Sequence, residues 1–87
     1  MHYVYILRCA DDSLYVGETS DVVARVLTHR AGEASGFTSQ RLPVTLVYAE
    51  QHTDRLRARA RERQLKRWTR VKKEALIAGD LALLKRL

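Results

Sequence analysis

The stretch YVYILRCADDSLYVG, residues 3–17, decides the fold, because two strand-like runs flank an Asp-Asp-Ser turn signal. It holds three of the chain's four tyrosines. An aromatic ring suits a pleated, half-buried surface, so packing in a β-hairpin would explain these tyrosines without any function. Side chains alternate between the two faces of a strand. A three-residue loop at Asp11–Ser13 therefore predicts that Tyr5 and Tyr15 lie on one face of the hairpin.

The rest of the chain alternates between helical and strand patterns. Ser20 is predicted to cap a helix that ends at Gly32, and an exposed loop is predicted to follow as far as Pro43. A third strand is then predicted for Val44–Ala49. Further helices are predicted to begin at Thr53, Thr69 and Asp80, the first of them running to about Arg67. The order ββαβα plus tail helices predicts a small α/β fold.

The length and cysteine content limit the class of protein. A chain of 87 residues has room for one domain, predicted here for residues 1–87, and a domain of this size buries roughly 60% of its unfolded surface. The single cysteine, Cys9, excludes an internal disulfide framework and a multi-cysteine metal site, and is expected in the core. No apolar run approaches the roughly 18 residues that a membrane span requires. We expect a cytoplasmic protein, monomeric by default.

Charge is concentrated in residues 55–73. This segment has ten Lys and Arg side chains against one carboxylate, Glu62, so it carries +9 in a chain whose net charge is +6. A solvated helix face is the ordinary explanation of a charge run. Here almost no acidic residues are interleaved, which favours contact with a polyanion, most commonly nucleic acid. A membrane surface is disfavoured because the run lacks a broad apolar face.

The one acid of that segment lies among apolar residues. Ala58, Glu62, Leu65 and Trp68 fall near one stripe of the predicted helix. A buried carboxylate is costly unless it is paired or binds a metal. Glu62 is therefore either a structural partner of an arginine or a metal ligand, while Trp68 is expected to be a core residue.

Two short motifs in the hairpin resemble those of a known family. Tyr3-Val4-Tyr5 and Tyr15-Val16-Gly17 resemble the paired strand motifs of the GIY-YIG nucleases. Arg25 lies where that family has a helix-borne arginine, and His29 lies where many members carry histidine. The runs RLPVTLVYAE and ERQLKRW are similar to the short, stand-alone bacterial members, sometimes called YhbQ-like.

The resemblance implies both a fold and an activity. The fold is a three-stranded, mainly antiparallel sheet flanked by helices. The activity is a metal-dependent endonuclease that hydrolyses DNA, with a structural preference suited to DNA repair or recombination. Tyr5 and Tyr15 would line the active site, Arg25 would contact the scissile phosphate, and Glu62 would bind Mg²⁺ or Mn²⁺.

Two other classes of function stay open. One is a non-catalytic nucleic-acid-binding module that keeps the GIY-YIG fold. The other is an interaction protein whose tail, LALLKRL, pairs with a partner helix.

The chemistry leaves the identity of the base open. Tyrosine, with a reference pKa near 10, is a poor base at neutral pH unless nearby positive charge favours the phenolate, as Arg25, the basic segment and the metal should. One of Tyr5 and Tyr15 is predicted to activate water and the other to position it. His29 could be a general base or a packed structural residue, and the residues favour neither.

Further contacts to nucleic acid are predicted from the basic residues. Phe37, in the polar loop, is a candidate for contacting an unstacked base. His2 and His52 show no metal spacing and are expected at the surface. The predicted nucleic-acid-binding residues are Arg41, Arg63, Lys66, Arg67, Arg70, Lys72 and Lys73.

Overall fold

The structure, a computed structural model, describes residues 1–87 and has three strands and five helices. The strands form one sheet of order β2-β1-β3 in which both pairings are antiparallel, so the predicted three-stranded sheet flanked by helices is confirmed. None of the helices combines the length and apolar character needed to cross a membrane. The elements are β1 (His2–Arg8), β2 (Leu14–Thr19), α1 (Val22–Arg30), α2 (Gly36–Ser39), β3 (Thr45–His52), α3 (Arg55–Arg67), α4 (Arg70–Ala78) and α5 (Leu81–Arg86).

The hairpin of β1 and β2 has the predicted odd-length loop. The backbone amide of Cys9 donates to the carbonyl oxygen of Ser13 at 2.9 Å, which encloses three residues, 10–12, one position earlier than predicted. Leu7 lies opposite Tyr15 in the register. Tyr5 and Tyr15 consequently lie on the same face of the sheet, with their ring centroids 6.4 Å apart.

The sheet has two faces with separate sets of packed residues. On the face toward α3 and α4, which we call the α3 face, a wholly apolar cluster forms. On the opposite face, toward α1 and α2, which we call the site face, a second cluster includes an aromatic phenol and the buried Cys9. The α3-face cluster is Val4, Ile6, Val16, Ala58, Leu65 and Leu76, and the site-face cluster is Tyr5, Leu7, Cys9, Val26 and Val44.

Two helix caps differ from the prediction by one residue. Asp21 caps α1, accepting from the amide of Ala24 at 3.1 Å, so the prediction of Ser20 is wrong. Asp54 caps α3, accepting from the amide of Arg57 at 2.8 Å, so the prediction of Thr53 is wrong too. In both cases a carboxylate follows the hydroxyl residue, and its negative charge also favours the helix N-terminus. The predicted caps at residues 69 and 80 are confirmed.

The segment before β3 is more ordered than the predicted exposed loop. It contains the short helix α2, which Ser35 caps and in which Thr38 is fully buried. β3 also extends three residues beyond the predicted end at Ala49, because His52 still pairs with His2 on β1.

Ion pairs fix α4 to the hairpin loop. Arg8 donates to both carboxylate oxygens of Glu74, at 2.9 and 2.6 Å. Arg70 pairs with Asp12 in the loop at 2.9 Å and with Glu74 at 3.1 Å. The hydrogen bonds from Arg8 lower the pKa of Glu74 to about 2. The start of α4, with its lysines, is thereby held close to the end of the hairpin that carries Tyr15.

Candidate active site

A chain of buried hydrogen bonds crosses the site face. The hydroxyl of Tyr5 lies 2.8 Å from Nε2 of His29, and Nδ1 of His29 lies 2.8 Å from Oγ1 of Thr38. β1, α1 and α2 each supply one member, and all three residues are 0% exposed. His29 is therefore hydrogen-bonded through both ring nitrogens and has no direct contact with solvent.

The hydrogens of these bonds are assigned so that the hydroxyl of Thr38 and both ring nitrogens of His29 all have partners. The hydroxyl of Thr38 can donate to the carbonyl oxygen of Ser35 at 3.4 Å, so its oxygen is free to accept from Nδ1–H of His29. Nε2 of His29 then accepts from the hydroxyl of Tyr5. Burial, and then the charge of Arg25, lower the pKa of His29, which keeps its imidazole neutral as this arrangement requires.

Tyr5 is a phenol in this environment and not a phenolate. Burial, followed by the neighbouring Tyr15, raises the pKa of Tyr5 to about 12, although the charge of Arg25 lowers it in part. For Tyr5, the cost of desolvating a buried phenolate outweighs the attraction of Arg25, which lowers its pKa.

Gly17, the glycine of the second motif, makes room for Tyr5. A Cβ atom added at Gly17 would lie 2.5 Å from Cζ of Tyr5, which is far inside van der Waals contact. Any other residue would displace either the ring or the strand. The glycine thus permits the tyrosine of the first motif to cross under β2 and reach His29.

Tyr15 lies between the buried, hydrogen-bonded residues Tyr5 and His29 and the surface. Its ring centroid is 5.0 Å from that of His29 in an edge-to-face arrangement and 6.0 Å from that of Phe37. It is half-buried, and it lines a surface cavity of about 210 Å³. Of the two predicted site tyrosines, Tyr15 is therefore the one that solvent reaches. The residues lining this cavity, which we call the Tyr15 cavity, are Leu14, Tyr15, Val16, Phe37, Lys66 and Lys73.

Arg25 and Glu62 approach the same tyrosine from different helices. Arg25, on α1, is exposed, and its charge lowers the pKa values of both Tyr5 and His29. Glu62, on α3, raises the pKa of Tyr5 in turn. The structure thus places Tyr5, Tyr15 and His29 in contact with one another, and Arg25 and Glu62 are near enough for their charges to act on Tyr5.

Glu62 has a lysine as its partner. Its side chain is 20% exposed, and Nζ of Lys66, one helical turn later, lies 3.5 Å from its carboxylate. No arginine pairs with it, so the alternative of an arginine-paired structural glutamate is wrong. The i, i+4 spacing that carries the pair is readable from the sequence.

No group of three or more His, Cys, Asp or Glu side chains is placed to hold a metal ion. A single carboxylate is nevertheless a donor set that suits Mg²⁺, which keeps several waters and takes further oxygen ligands from a substrate phosphate. It does not suit Zn²⁺, which takes three or four nitrogen, sulfur or oxygen ligands from the protein. Glu62 therefore fits an ion that arrives with its substrate.

The predicted nucleic-acid-binding residues fall into two groups by their partners. Arg41, Lys66 and Arg70 are in ion pairs, while the other four have none. Lys66 and Lys73 line the Tyr15 cavity. Arg63 and Arg67 instead line a separate concavity of about 350 Å³ beside Trp68. The four without an ion pair are Arg63, Arg67, Lys72 and Lys73.

Two polar features were not found from the sequence. Thr38, which orients His29, lay in the predicted loop, where the spacing of Ser35 and Thr38 is a capping signal that could have located α2. The second feature surrounds Glu50 on β3. Its carboxylate accepts from Nε of Arg61 at 3.0 Å and lies 2.6 Å from Nε2 of His52. His52 and His2, which are expected at the surface, are both half-buried.

A small antiparallel sheet that gathers two tyrosines, an arginine, a histidine and a glutamate defines the class of protein. The GIY-YIG catalytic domain matches residues 1–75, and the chain belongs to the GIY-YIG family, which is part of a nuclease superfamily. That membership implies interaction with nucleic acid in general, and GIY-YIG nucleases generally use divalent metal ions.

Similar proteins come from archaea and bacteria. A UPF0213 protein of Natronomonas pharaonis is 46% identical over 79 residues, covering 91% of this chain and 93% of the relative. A UPF0213 protein of Haloquadratum walsbyi is 49% identical over 75 residues, covering 86% of this chain and 84% of the relative. The solution NMR structure of a UPF0213 protein from Bacillus halodurans has a TM-score of 0.58 and 39% identity, covering 88% of this chain and 82% of that one. These relatives are short, stand-alone members of the family.

Proposed function

We propose that this protein is a metal-dependent endonuclease that hydrolyses phosphodiester bonds of DNA. The observation that carries the proposal is the position of Tyr15. It is half-buried and lines a cavity with two lysines, and it packs against the buried pair of Tyr5 and His29, to which Arg25 is close. This combination supplies a polar group for water and positive charge for a phosphate.

Arg25 is the proposed phosphate ligand. Its guanidinium is exposed on α1, so it can turn toward a substrate without leaving a buried charge unpaired. A planar guanidinium can give two parallel hydrogen bonds to phosphate oxygens. Charge that develops on the phosphoryl group during hydrolysis is stabilised by such fixed donors.

Tyr15 is the proposed partner of the attacking water, and Tyr5 is a positioning residue. His29 is fully buried, so it cannot take a proton from water directly. Tyr5 is also fully buried and holds its proton, which it donates to His29. Of the candidates for the base, this leaves Tyr15, whose ring packs against the rings of the other two.

Glu62 would hold the divalent ion, Mg²⁺ or Mn²⁺. When bound, the ion would neutralise charge on the phosphate and at the leaving oxygen. The chain's own contribution is a carboxylate that is mostly shielded from solvent and is neutralised by Lys66 in the absence of an ion. Lys66 must move aside on binding, and the phosphate then offers it a new anionic partner.

The ion pair of Glu62 and Lys66 also favours a second candidate function. A glutamate already neutralised by lysine can act as a purely structural residue, and Glu62 belongs to no group of three or more side chains that could hold a metal ion. The protein would then be a non-catalytic module that binds nucleic acid through the same surface. Such a module would bind DNA equally with and without Mg²⁺.

One experiment separates the two candidates. Labelled single-stranded, duplex, flap and branched DNA are incubated with the protein in Mg²⁺, Mn²⁺ or EDTA, and cleavage and binding are measured separately. Glu62→Gln should abolish metal-dependent cleavage and preserve binding, because the amide keeps the shape and loses the charge that holds the ion. Glu33→Gln, at an exposed glutamate with no ion pair, is the matched control and should cleave normally. Binding without cleavage of any of the four substrates would refute the nuclease proposal.

A further inference from the structure

Phe37 is an aromatic residue that the described catalytic group does not use. It lies on α2 and is 40% exposed, although it is large and apolar. Its ring centroid is 6.0 Å from that of Tyr15, with an angle of 30° between the two planes. A chain of aromatic contacts therefore leads from the buried His29 through Tyr15 to an exposed ring.

The ring of Phe37 is held in place by Arg41. The guanidinium of Arg41 lies 3.9 Å from the ring centroid, and its Nη1 donates to the carbonyl oxygen of Phe37 at 2.9 Å. Arg41 is itself paired with Asp11 in the hairpin loop at 3.2 Å. The helix beneath is anchored through Thr38. An exposed phenylalanine fixed at this many points behaves as a preorganised platform, and a free side chain would lose more entropy on binding.

The Tyr15 cavity has the chemistry of a nucleotide. Two aromatic rings, with Leu14 and Val16, supply an apolar surface for a base, and the ammonium groups of Lys66 and Lys73 supply positive charge for the adjoining phosphate. Bases stack on aromatic side chains with little regard to their identity, because every base has a π-face. The cavity also begins at Tyr15, which we have placed at the phosphodiester bond.

The geometry of a duplex shows that a base bound on an aromatic platform must be unstacked. A base inside a duplex has both faces covered by its neighbours and shows only its edges in the grooves. An aromatic platform can use a face only when the base has left the stack, as in loops, bulges, flaps and flipped nucleotides.

We propose that the Tyr15 cavity binds an unpaired base next to the cleaved phosphodiester bond, with Phe37 as the stacking platform. The substrate class is thus nucleic acid in which a nucleotide at the cleavage site is unstacked. This inference rests on the proposed nuclease function, because only a nuclease has a cleaved bond beside which the base can lie. The binding of the unpaired base can nevertheless be measured without cleavage.

The test is a binding measurement in EDTA. Fluorescence anisotropy compares a fully paired duplex with the same duplex carrying one bulged nucleotide, for the parent and for three variants at one position. Phe37→Ala removes the ring, Phe37→Leu keeps apolar volume without a π-face, and Phe37→Trp keeps a platform. Leu56→Ala, an exposed leucine on α3 that does not line the cavity, is the matched control.

The parent and Phe37→Trp should bind the bulged DNA about tenfold more tightly than the paired duplex, a difference within the range of one stacking contact. Phe37→Ala and Phe37→Leu should lose this preference and keep their affinity for the duplex. A 2-aminopurine base placed in the bulge should change its fluorescence with the parent and not with Phe37→Ala.

Equal affinity of the parent for bulged and paired DNA would overturn the inference, and so would an unchanged preference in both Phe37→Ala and Phe37→Leu. The nuclease proposal fails in a different way, since it requires cleavage in Mg²⁺ or Mn²⁺. A protein that binds the bulge through Phe37 and never cuts supports this inference and refutes the activity. A protein that cuts DNA without any preference for an unpaired base supports the nuclease activity and refutes this inference.

Discussion

The two faces of the same sheet are built for different purposes. On the α3 face, Val4 and Ile6 of β1 pack on Leu65 in a cluster with no polar member. On the site face, the neighbouring residue Tyr5 is equally buried but shares a hydrogen bond with His29. Alternate side chains of one strand thus serve a packed apolar core and a buried polar chain. Stability can reside on one face, so that the other face can hold polar groups in a fixed arrangement.

The largest expected effect concerns charge stabilisation on the site face. Arg25→Ala should lower the rate of cleavage by about 10² to 10³, because fixed charge at a developing phosphoryl anion contributes about that much. The free energy of unfolding should change little, since Arg25 is exposed and forms no ion pair. Single-turnover cleavage and urea unfolding measure the two quantities. Arg30→Ala, on the same helix, is the control, and an equal loss in that variant would contradict the assignment.

The opposite pattern is expected on the α3 face. Ile6→Ala should lower the free energy of unfolding by about 2–5 kcal/mol, because a fully buried methylene-rich side chain is replaced by a cavity. Activity per folded molecule should be unchanged at low temperature. Leu56→Ala, at a side chain that is 77% exposed, should cost less than about 0.5 kcal/mol. Equal losses of activity in the variants Ile6→Ala and Arg25→Ala would contradict the proposal that the α3 face provides stability and the site face provides activity.

A smaller effect should come from the polar chain itself. Thr38→Val leaves Nδ1–H of His29 buried and unpaired, which should cost about 1–3 kcal/mol of stability.

Because folding lowers the pKa of His29, the unfolded chain binds a proton near pH 6.5 that the folded chain resists. This contribution to stability is present above about pH 6.5 and is lost as the pH falls. Unfolding in urea between pH 5 and 8 should show the decline in the parent and in His2→Gln but not in His29→Gln.

The smallest effect concerns the salt dependence of DNA binding. The parent should show a slope of roughly −3 or steeper in log K against log salt, from several phosphate contacts. Lys73→Gln should reduce the slope by about 0.9, because Lys73 lines the Tyr15 cavity and has no ion pair. Lys85→Gln, on α5, should leave it unchanged. A slope near zero in the parent would refute the basic surface as a nucleic-acid interface.

The sequence was sufficient for the sheet and for the order of the elements other than α2, since alternation and turn residues act locally. The odd number of residues in the hairpin loop was enough to place Tyr5 and Tyr15 on one face of the sheet. The resemblance of the two strand motifs then indicated the arginine, the histidine and the glutamate, whose catalytic roles stay predictions. The close contact between Gly17 and the ring of Tyr5 explains physically why the second motif needs a glycine opposite the tyrosine of the first.

What the sequence missed depends on tertiary burial. Thr38 is polar and lies in a stretch without hydrophobic periodicity, so nothing local indicates that it is fully buried against His29. The raised pKa of Tyr5 likewise comes first from burial, which charge patterns along the chain do not reveal. The single-domain assignment, the metal and the nucleic-acid-binding residues stay predictions.

The most direct test compares the two tyrosines by removing one hydroxyl at a time. Both Phe variants keep the ring, so any difference reports on the oxygen. Tyr15→Phe should cleave about 10² to 10⁴ times more slowly than the parent and unfold normally, as expected for loss of the group that assists water. Tyr5→Phe should lose about 1–3 kcal/mol of stability, because Nε2 of His29 is left buried without its donor, and should retain most of its activity per folded molecule. Full activity in Tyr15→Phe, together with an inactive but stable Tyr5→Phe, would contradict the account.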